Sequence, residues 1–352
     1  MVDITEAEEH PSLRSLPGFK SLSTHHCYTG SLRHIYEYHG YPISEDLLLG
    51  LGSGLGFVYW HMKGTDPFYG GRANVGRPKE EGLEKTAGRR TGVRAESFST
   101  SSVLKAERAL LEMLEAGEPV YLYVDMGFLP YLELPDDYHF GAHVVVAAGY
   151  DPQSDQVLIA DRDVDLHRLA LADLAKARGS TYKPFPPRHK WYTFDFGEMR
   201  EPMPEEVRQA IREVTAGMLE PPIANLGVRG IRTAYQRTRK WPEIMNEETL
   251  RWSCFNIFIF IDAIGGTGGG LFRTMYGRFL QEAAGICSDD RIAMVGQDLG
   301  QIGDLWQEVA SRFKEANEAE NISDKLLWAT EPMLSIADRE ETAWQQLRSL
   351  VD

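Results

Sequence analysis

The chain combines a cysteine at a predicted helix start with a histidine that opens a buried strand far downstream. Cys27 precedes a helical pattern, and His143 begins the apolar run 143–149, which predicts a buried strand. A thiol at a helix start lies near the positive end of the helix dipole, which favours the nucleophilic thiolate. The two residues therefore predict a helix-plus-sheet fold that brings a nucleophile and a base together.

An acidic residue completes the pattern on the next predicted strand. The chain turns at 151–156 and returns as an apolar run that ends at Asp161. A hairpin of this length places Asp161 within a few residues of the position facing His143, where it can orient the imidazole. The order cysteine, histidine, acid is that of papain-like thiol enzymes. Two further acids share the strand parity of Asp161 and are alternatives for its role: Asp163 and Asp165.

The motifs around Cys27 resemble a known family. They read His26-Cys27-x-Thr29-x-Ser31-Leu32, Tyr38-His39-Gly40, Ile43-Ser44-Glu45 and the glycine-rich block from Leu49 to Tyr59. This set is similar to the N-terminal domain of the butirosin biosynthesis protein H family. A second glycine-rich block at 266–283 is similar to the helical C-terminal domain that accompanies it. The resemblance spans nearly the whole chain from about residue 20.

The resemblance implies a papain-like acyltransferase that moves an acyl group from a thioester to an amine. The expected donor is an acyl carrier protein or another phosphopantetheine-linked thioester, with no tightly bound cofactor, and the acceptor is an amine-bearing small molecule. The implied nucleophile is Cys27, the implied base is His143 and the implied orienting acid is Asp161. Papain-like enzymes have a glutamine before the cysteine to hold the oxyanion, but here Ser21 occupies that place.

Three function hypotheses stay open at the level of sequence. A cysteine acyltransferase and a cysteine peptidase or amidase would use the same triad, with an amine or water as the acceptor. A non-enzymatic binding protein on the same fold is the third hypothesis, and the missing glutamine before Cys27 is its main support. A zinc hydrolase is disfavoured because His139 and His143 lack the glutamate of the His-Glu-x-x-His motif, so we expect no metal.

Composition restricts the compartment and the partners. Only three cysteines are present, which argues against a disulfide framework, and the acidic N-terminus lacks the features of a signal peptide. No apolar run reaches the roughly 18–20 residues of a membrane span. We therefore expect a cytoplasmic protein without a membrane partner. The net charge of −15 disfavours nucleic acid as a partner.

An acidic carrier protein would need a basic patch for docking. The first candidate cluster contains Arg229, Arg232, Arg237, Arg239 and Lys240. The second candidate cluster contains Arg72, Arg77, Lys79, Lys85, Arg89, Arg90 and Arg94. A solvated helix face or loop explains either cluster equally well. The oligomeric state is not predicted.

The order of elements predicts an α+β fold with a papain-like core. In that core an N-terminal helix carries the cysteine and an antiparallel sheet carries the histidine and the acid. We expect a leader at 1–20, the papain-like domain at 21–200 and a mostly helical domain at 201–352. Predicted strands lie at 120–125, 143–149, 156–161 and 191–196, and a capped helix at 101–117. Predicted helices of the second domain cover 204–219, 225–239, 246–264, 270–285, 298–317 and 336–351.

Three further residues are candidates for substrate binding. Tyr59 follows a glycine-rich turn and is a candidate for an acyl pocket. Arg273 follows the glycine run 265–270, whose backbone N–H groups could bind an anion, although close helix packing explains the glycines as well. Asp125 ends a predicted strand, and its carboxylate either holds a cationic acceptor or caps a loop.

Overall fold

The structure, a computed structural model, describes residues 14–62, 66–72 and 82–352. Its strands are β1 (Leu55–Trp60), β2 (Phe68–Arg72), β3 (Arg94–Phe98), β4 (Val120–Val124), β5 (His143–Asp151), β6 (Gln156–Ala160), β7 (Leu166–Ala170) and β8 (Trp191–Asp195). Its first helices are α1 (Cys27–Tyr38), α2 (Glu45–Leu51), α3 (Leu83–Thr91), α4 (Val103–Glu115) and α5 (Leu171–Gly179). The helices after β8 are α6 (Pro204–Leu219), α7 (Gly227–Thr238), α8 (Trp241–Ile244), α9 (Glu247–Ile261), α10 (Arg273–Cys287), α11 (Asp290–Glu318), α12 (Ile322–Thr330) and α13 (Met333–Val351).

These elements confirm the predicted α+β class. An antiparallel sheet follows the helix that carries Cys27, and the chain after β8 is helical. Contacts divide the chain into two compact units. The first unit runs to Pro42 and resumes at Ala95–Phe194, and the second consists of Ile43–Arg94 and Asp195–Asp352.

The compact units differ from the predicted domains in one segment. Residues 43–94 pack with the C-terminal helices, although the prediction placed them in the 21–200 domain. Compact units defined by contacts need not coincide with domains defined by sequence family. The boundary between 21–200 and 201–352 therefore stays a prediction. Residues 1–13 of the predicted leader lie outside the described residues.

The remainder of the predicted leader is packed against β5. Leu16 and Phe19 are buried, and the Leu16 N–H donates to the carbonyl of Ala148 in β5 over 2.7 Å. Gly149 permits this approach, because a Cβ at that position would lie 2.5 Å from the Arg14 carbonyl oxygen. The segment therefore covers the bulge that interrupts the pairing of β5 with β6.

A six-stranded sheet with the order β3-β8-β4-β5-β6-β7 is the centre of the first unit. β5 pairs antiparallel with both β4 and β6. Its residues from His143 to Gly149 are all buried, as expected of a central strand covered on both faces. α1 packs against β5, and the Ser31 hydroxyl donates to the carbonyl of Val144 over 3.3 Å. The start of α1 is thereby fixed to the start of β5.

The second unit is a helical assembly with a small two-stranded antiparallel sheet, β1–β2. The 29-residue helix α11 packs against α9, α10, α12 and α13. Its contact with α10 is close because glycines face each other, and a Cβ on Gly277 would lie 2.7 Å from the carbonyl oxygen of Gly296.

The two glycine-rich blocks serve close packing. A Cβ on Gly50, in α2, would lie 2.1 Å from the ring of Phe279. A Cβ on Gly270 would lie 2.4 Å from the carbonyl oxygen of Gly303, and Gly270 also has a positive φ of 59°. Both blocks therefore bring helices of the second unit close together.

Candidate active site

Cys27 is the first residue of α1, as the sequence predicts. The residue before it, His26, has extended backbone angles and caps the helix without a side-chain hydrogen bond. The intrahelical ladder begins with the Gly30 N–H, which donates to the His26 carbonyl over 2.7 Å. The Cys27 thiol is half-buried, while Cys254 and Cys287 are buried. Cys27 thus combines access for a ligand with the helix dipole that favours its thiolate.

His143 lies between Cys27 and Asp161. Its Nε2 is 2.8 Å from Asp161 Oδ2, and its ring also forms a hydrogen bond with the Cys27 thiol. Since the carboxylate occupies Nε2, Nδ1 is the nitrogen that faces the sulfur. His143 and Asp161 are almost completely buried, with 2 % and 3 % of their surfaces exposed. The ring therefore has one orientation, fixed from both sides.

Strand register explains how Asp161 reaches the histidine. β5 and β6 pair Ala147 with Ile159 and Val146 with Ala160. Continued by one residue, this register sets Asp161 diagonal to His143 on the same face of the sheet. Diagonal neighbours are about 7–8 Å apart at the backbone, a span that an aspartate and a histidine bridge together.

The electrostatics favour a thiolate–imidazolium pair. Burial opposes ionisation of the Cys27 thiol, but the charge and hydrogen bond of His143 outweigh it, so the pKa of Cys27 lies below its ordinary value. Burial likewise opposes the charged ring, yet Asp161 and Cys27 raise the pKa of His143 to about 10. The pKa of Asp161 is lowered because the imidazolium outweighs burial of its carboxylate. By contrast, burial raises the pKa of Cys254 to about 12.

The segment before Cys27 is hydrogen-bonded to the segment that carries Asp161. The Thr24 N–H donates to the Arg162 carbonyl and the Ser21 hydroxyl donates to the Asp163 carbonyl, both over 2.8 Å. Ser21, which stands where papain-like enzymes have their glutamine, thus directs its proton to the protein backbone. These two contacts connect the segment before Cys27 to the segment that carries Asp161.

The two alternative acids have other partners. Both carboxylate oxygens of Asp163 lie within 3.1 Å of His167 Nε2. Asp165 donates its backbone N–H to Asp163 Oδ1 over 2.9 Å. Of the three predicted acids, Asp161 is the one whose carboxylate contacts His143.

Tyr131 is a member of this cluster that sequence reasoning missed. It lies in a short 3₁₀ turn, Pro130–Leu132, and its hydroxyl donates to Asp161 Oδ2 over 3.1 Å. Its ring stacks on His167 with 4.1 Å between the ring centroids. No motif or periodicity marks this tyrosine, because its contact depends on how the loop between β4 and β5 folds.

Asp125 is buried and engaged by protein donors. Its Oδ1 accepts from the backbone N–H groups of Gly127 and Phe140, and its Oδ2 contacts Ser180 Oγ and His139 Nδ1. None of its surface is exposed. The predicted role in binding a cationic acceptor stays a prediction that these contacts do not favour, and loop capping accounts for the carboxylate.

Tyr59 and Arg273 belong to the second compact unit. Tyr59 is buried and its hydroxyl accepts from Trp241 Nε1 over 3.4 Å. Arg273 is fully buried and forms a bidentate ion pair with Glu340, with further hydrogen bonds to the carbonyls of Gly56 and Leu271. These contacts occupy the Arg273 guanidinium with groups of the protein itself. The substrate-binding roles of both residues stay predictions.

Each candidate docking cluster contains an arginine that forms ion pairs within the protein. Arg90 is buried and bonds to Glu213, while Arg232 bridges Asp338 and Glu341. Two members of the second cluster, Arg77 and Lys79, lie outside the described residues.

The described part of the chain contains no group of three or more His, Cys, Asp or Glu side chains arranged to hold a metal ion. Nor does any helix within the described ranges have the length and apolar character that crossing a membrane requires.

Comparison with known proteins yields two matches that divide the chain between them. Residues 26–162 match the family model described as butirosin biosynthesis protein H, N-terminal. Residues 172–347, half of the chain, match a domain of unknown function (DUF4872). No curated protein matches the chain significantly. The first match contains Cys27, His143 and Asp161. The chain therefore belongs to the butirosin biosynthesis protein H-like family, with that family's N-terminal domain followed by the DUF4872 domain.

Proposed function

We propose that this protein is a cysteine-dependent acyltransferase that moves an acyl group from a thioester to an amine. The observation that carries the proposal is the hydrogen bond between the half-buried Cys27 thiol and His143, which Asp161 holds from the other side. Family membership supports a biosynthetic, transferase-like role. The donor we propose is an acyl carrier protein or another phosphopantetheine thioester.

The first half-reaction forms an acyl-enzyme. The Cys27 thiolate attacks the carbonyl carbon of the thioester and forms a new carbon–sulfur bond. Collapse of the tetrahedral intermediate breaks the bond to the donor sulfur, which leaves as a thiol after taking the proton of the His143 imidazolium. Backbone N–H groups at the start of α1 are suited to stabilise the oxyanion, because the helix dipole adds to their hydrogen bonds.

The second half-reaction transfers the acyl group to the acceptor. Neutral His143 takes a proton from the amine as its nitrogen attacks the acyl-enzyme carbonyl carbon. The bond to Cys27 then breaks, and the thiolate–imidazolium pair is restored. The sum is a thioester plus an amine giving an amide plus a thiol. Asp161 keeps the ring oriented throughout and compensates its positive charge.

The test is intact-protein mass spectrometry after incubation with acyl-pantetheine thioesters. We expect a mass gain equal to the acyl group in the wild type and none in Cys27→Ala. Cys287→Ala is the matched control and should be acylated like the wild type, because burial raises the pKa of Cys287. Absence of a Cys27-dependent adduct with every donor, carrier-bound donors included, would refute the covalent mechanism and favour a binding protein.

The fate of the adduct separates transfer from hydrolysis. An amine acceptor should discharge the acyl-enzyme faster than water does, with an amide as the product. A peptidase or amidase, which shares the same triad chemistry, would lose the adduct equally fast with and without amine and release a free acid.

A further inference from the structure

One oxygen of Asp161 serves two donors. Oδ2 lies 2.8 Å from His143 Nε2 and accepts from the Tyr131 hydroxyl over 3.1 Å. The other oxygen, Oδ1, is buried and accepts no hydrogen bond from the residues that the structure describes. Arg162 Nε lies 3.9 Å from Oδ1. The strong contacts of this carboxylate are thus concentrated on the oxygen that orients His143.

The Tyr131 hydroxyl is held in place by its ring. The ring lies nearly parallel to that of His167, with an angle of 12° and 4.1 Å between centroids. His167 is fixed in turn by Asp163, whose Oδ2 lies 3.0 Å from His167 Nε2. A hydroxyl fixed in this way loses little further freedom when it bonds to Asp161, so the bond is preorganised.

We propose that Tyr131 is a positioning residue that keeps Asp161 ionised and aimed at His143, so that the thiolate–imidazolium pair persists to a lower pH than it would without the Tyr131 hydroxyl. A hydrogen bond from a neutral hydroxyl favours the charged form of a carboxylate. Without it, Asp161 would take up a proton at a higher pH, and the buried imidazolium would lose its counterion. The meaning of this role for turnover rests on the acyltransferase function proposed above.

Other charged or titratable groups also act on Asp161 and are left intact by a change at Tyr131. They are His143 on β5, Cys27 and His34 on α1, and Arg162 beside Asp161 itself. His34 is buried and neutral at physiological pH, since burial lowers its pKa to about 4, and it accepts the Leu22 N–H over 2.9 Å. A shift that follows loss of the Tyr131 hydroxyl alone is therefore assignable to that hydroxyl.

The experiment compares Tyr131→Phe with the wild type by the rate at which iodoacetamide alkylates Cys27 between pH 4 and 9. Phenylalanine keeps the ring on His167 and removes the donor. We expect the acid limb of the profile to move up by about one pH unit, so that alkylation on that limb slows roughly tenfold. Tyr150→Phe is the matched control, because it removes a tyrosine hydroxyl from Asp155 on the β5–β6 hairpin and should leave the profile unchanged.

Turnover gives the second readout. In Tyr131→Phe we expect kcat for acyl transfer to fall with KM nearly unchanged, because the hydroxyl contacts Asp161. A Tyr131→Phe alkylation profile that coincides with the wild type would overturn the inference. Alkylation of Cys27 does not depend on an acyl donor. The shift of the acid limb of the alkylation profile therefore decides the role of Tyr131 even where no acyl adduct forms. Lack of an adduct with every donor would instead refute the proposed function.

Discussion

His143 is surrounded by groups that stabilise its charged form. Asp161 contacts one ring nitrogen and Cys27 the other, and the pKa of the ring rises to about 10 despite burial. A histidine with a raised pKa stabilises the folded state below its unfolded pKa of about 6.5, and this contribution is lost as the pH rises through about 10. At neutral pH the imidazolium is therefore available both to stabilise the thiolate and to donate a proton.

Replacing His143 by alanine should abolish the low pKa of Cys27. Burial alone raises the pKa of a thiol, so the thiolate fraction of the variant at pH 6.5 should fall well below that of the wild type. The measurement is the rate of Cys27 alkylation by iodoacetamide, read by peptide mass spectrometry. The buried Cys254 in the same sample is the internal control and should react slowly in both proteins. Equal rates for the two proteins would show that His143 does not activate the thiol.

The identity of the orienting acid is tested by Asp161→Asn. The amide keeps the shape of the side chain but removes the charge that raises the pKa of His143. We expect kcat for acyl transfer to fall by about 10²-fold or more, with a smaller thiolate fraction at pH 6. Asp165→Asn is the matched control, because Asp165 is exposed and shares the strand parity of Asp161, and it should stay within a few-fold of the wild type. The reverse order of effects would assign the role to Asp165.

The sequence predicted that Cys27, His143 and Asp161 would lie close together, because each belongs to an element that the sequence marks. Cys27 needs a helix start, while His143 and Asp161 need neighbouring strands, and each of these elements has a local pattern. Tyr131 has no such pattern, because its bond to Asp161 arises from a loop. For Asp125, loop capping was one of the two predicted roles, but its contacts with Ser180 and His139 could not be predicted, since both residues are distant from it in sequence.

At the scale of elements, α10 and α11 approach closely through glycine. A Cβ at Gly277 would lie 2.7 Å from the Gly296 carbonyl oxygen and 3.2 Å from the Gly300 nitrogen. Backbone atoms of a packed helix cannot yield as a flexible side chain does. The close α10–α11 contact therefore depends on the absence of a side chain at this position.

Gly277→Ala should lower the free energy of unfolding by about 1–3 kcal/mol, because the methyl group overpacks the α10–α11 contact. Gly285→Ala, in the same helix, is the matched control. A Cβ there meets nothing within 4 Å, so the gain in helix propensity should stabilise the protein by about 0.5–1 kcal/mol. Urea denaturation of both variants measures the two changes. Stabilisation of both variants would show that the helices separate without cost.

Strong local signals were sufficient to predict many elements. The hydroxyls of Ser44 and Ser102 cap α2 and α4, accepting from Leu47 N–H over 2.9 Å and Lys105 N–H over 3.3 Å. β7 and α5 were not predicted. β7 has only one buried residue, Leu169, so its sequence lacks the alternation that marks a strand.

At the scale of the whole molecule, the second unit contains a buried ion pair. Arg273 and Glu340 are both fully buried, and the indole N–H groups of Trp306 and Trp344 also donate to the Glu340 carboxylate. The carboxylate thus connects α10, α11 and α13 at the centre of the unit. Breaking such a pair costs more than its net contribution, because it leaves an uncompensated buried charge.

Glu340→Gln should lower the free energy of unfolding by about 3–5 kcal/mol, since Arg273 would keep its buried charge without a counterion. The adjacent Glu341→Gln is the matched control. Glu341 is half-buried and pairs with Arg232 over 2.7 Å in contact with solvent, an arrangement that contributes at most about 1 kcal/mol. Thermal and urea denaturation compare the two variants. Similar losses of unfolding free energy in both variants would mean that another group neutralises the charge of Arg273.

The composition of the second unit could not be derived from local patterns. Residues 43–94 read as part of the first domain because they follow α1 along the chain, yet α2, β1 and β2 pack against α10, α7 and α9. Long-range contacts decide such a grouping, and no periodicity within 43–94 reports them. A protein cut near residue 200 would therefore keep this segment without the helices that cover it.

A fragment of residues 1–200 should consequently fail to fold as a stable unit. Leu48, Leu49 and Leu51 are fully buried in the intact protein, and exposing each side chain costs about 1.5–3 kcal/mol. We expect the fragment to aggregate or to bind a hydrophobic dye, without a cooperative unfolding transition. Co-expression with residues 201–352 should restore solubility and selective alkylation of Cys27 at mildly acidic pH. A fragment 1–200 that unfolds cooperatively and retains that alkylation would establish the 21–200 region as an autonomous domain. The apolar side chains of residues 43–94 would then have to pack against other parts of the fragment.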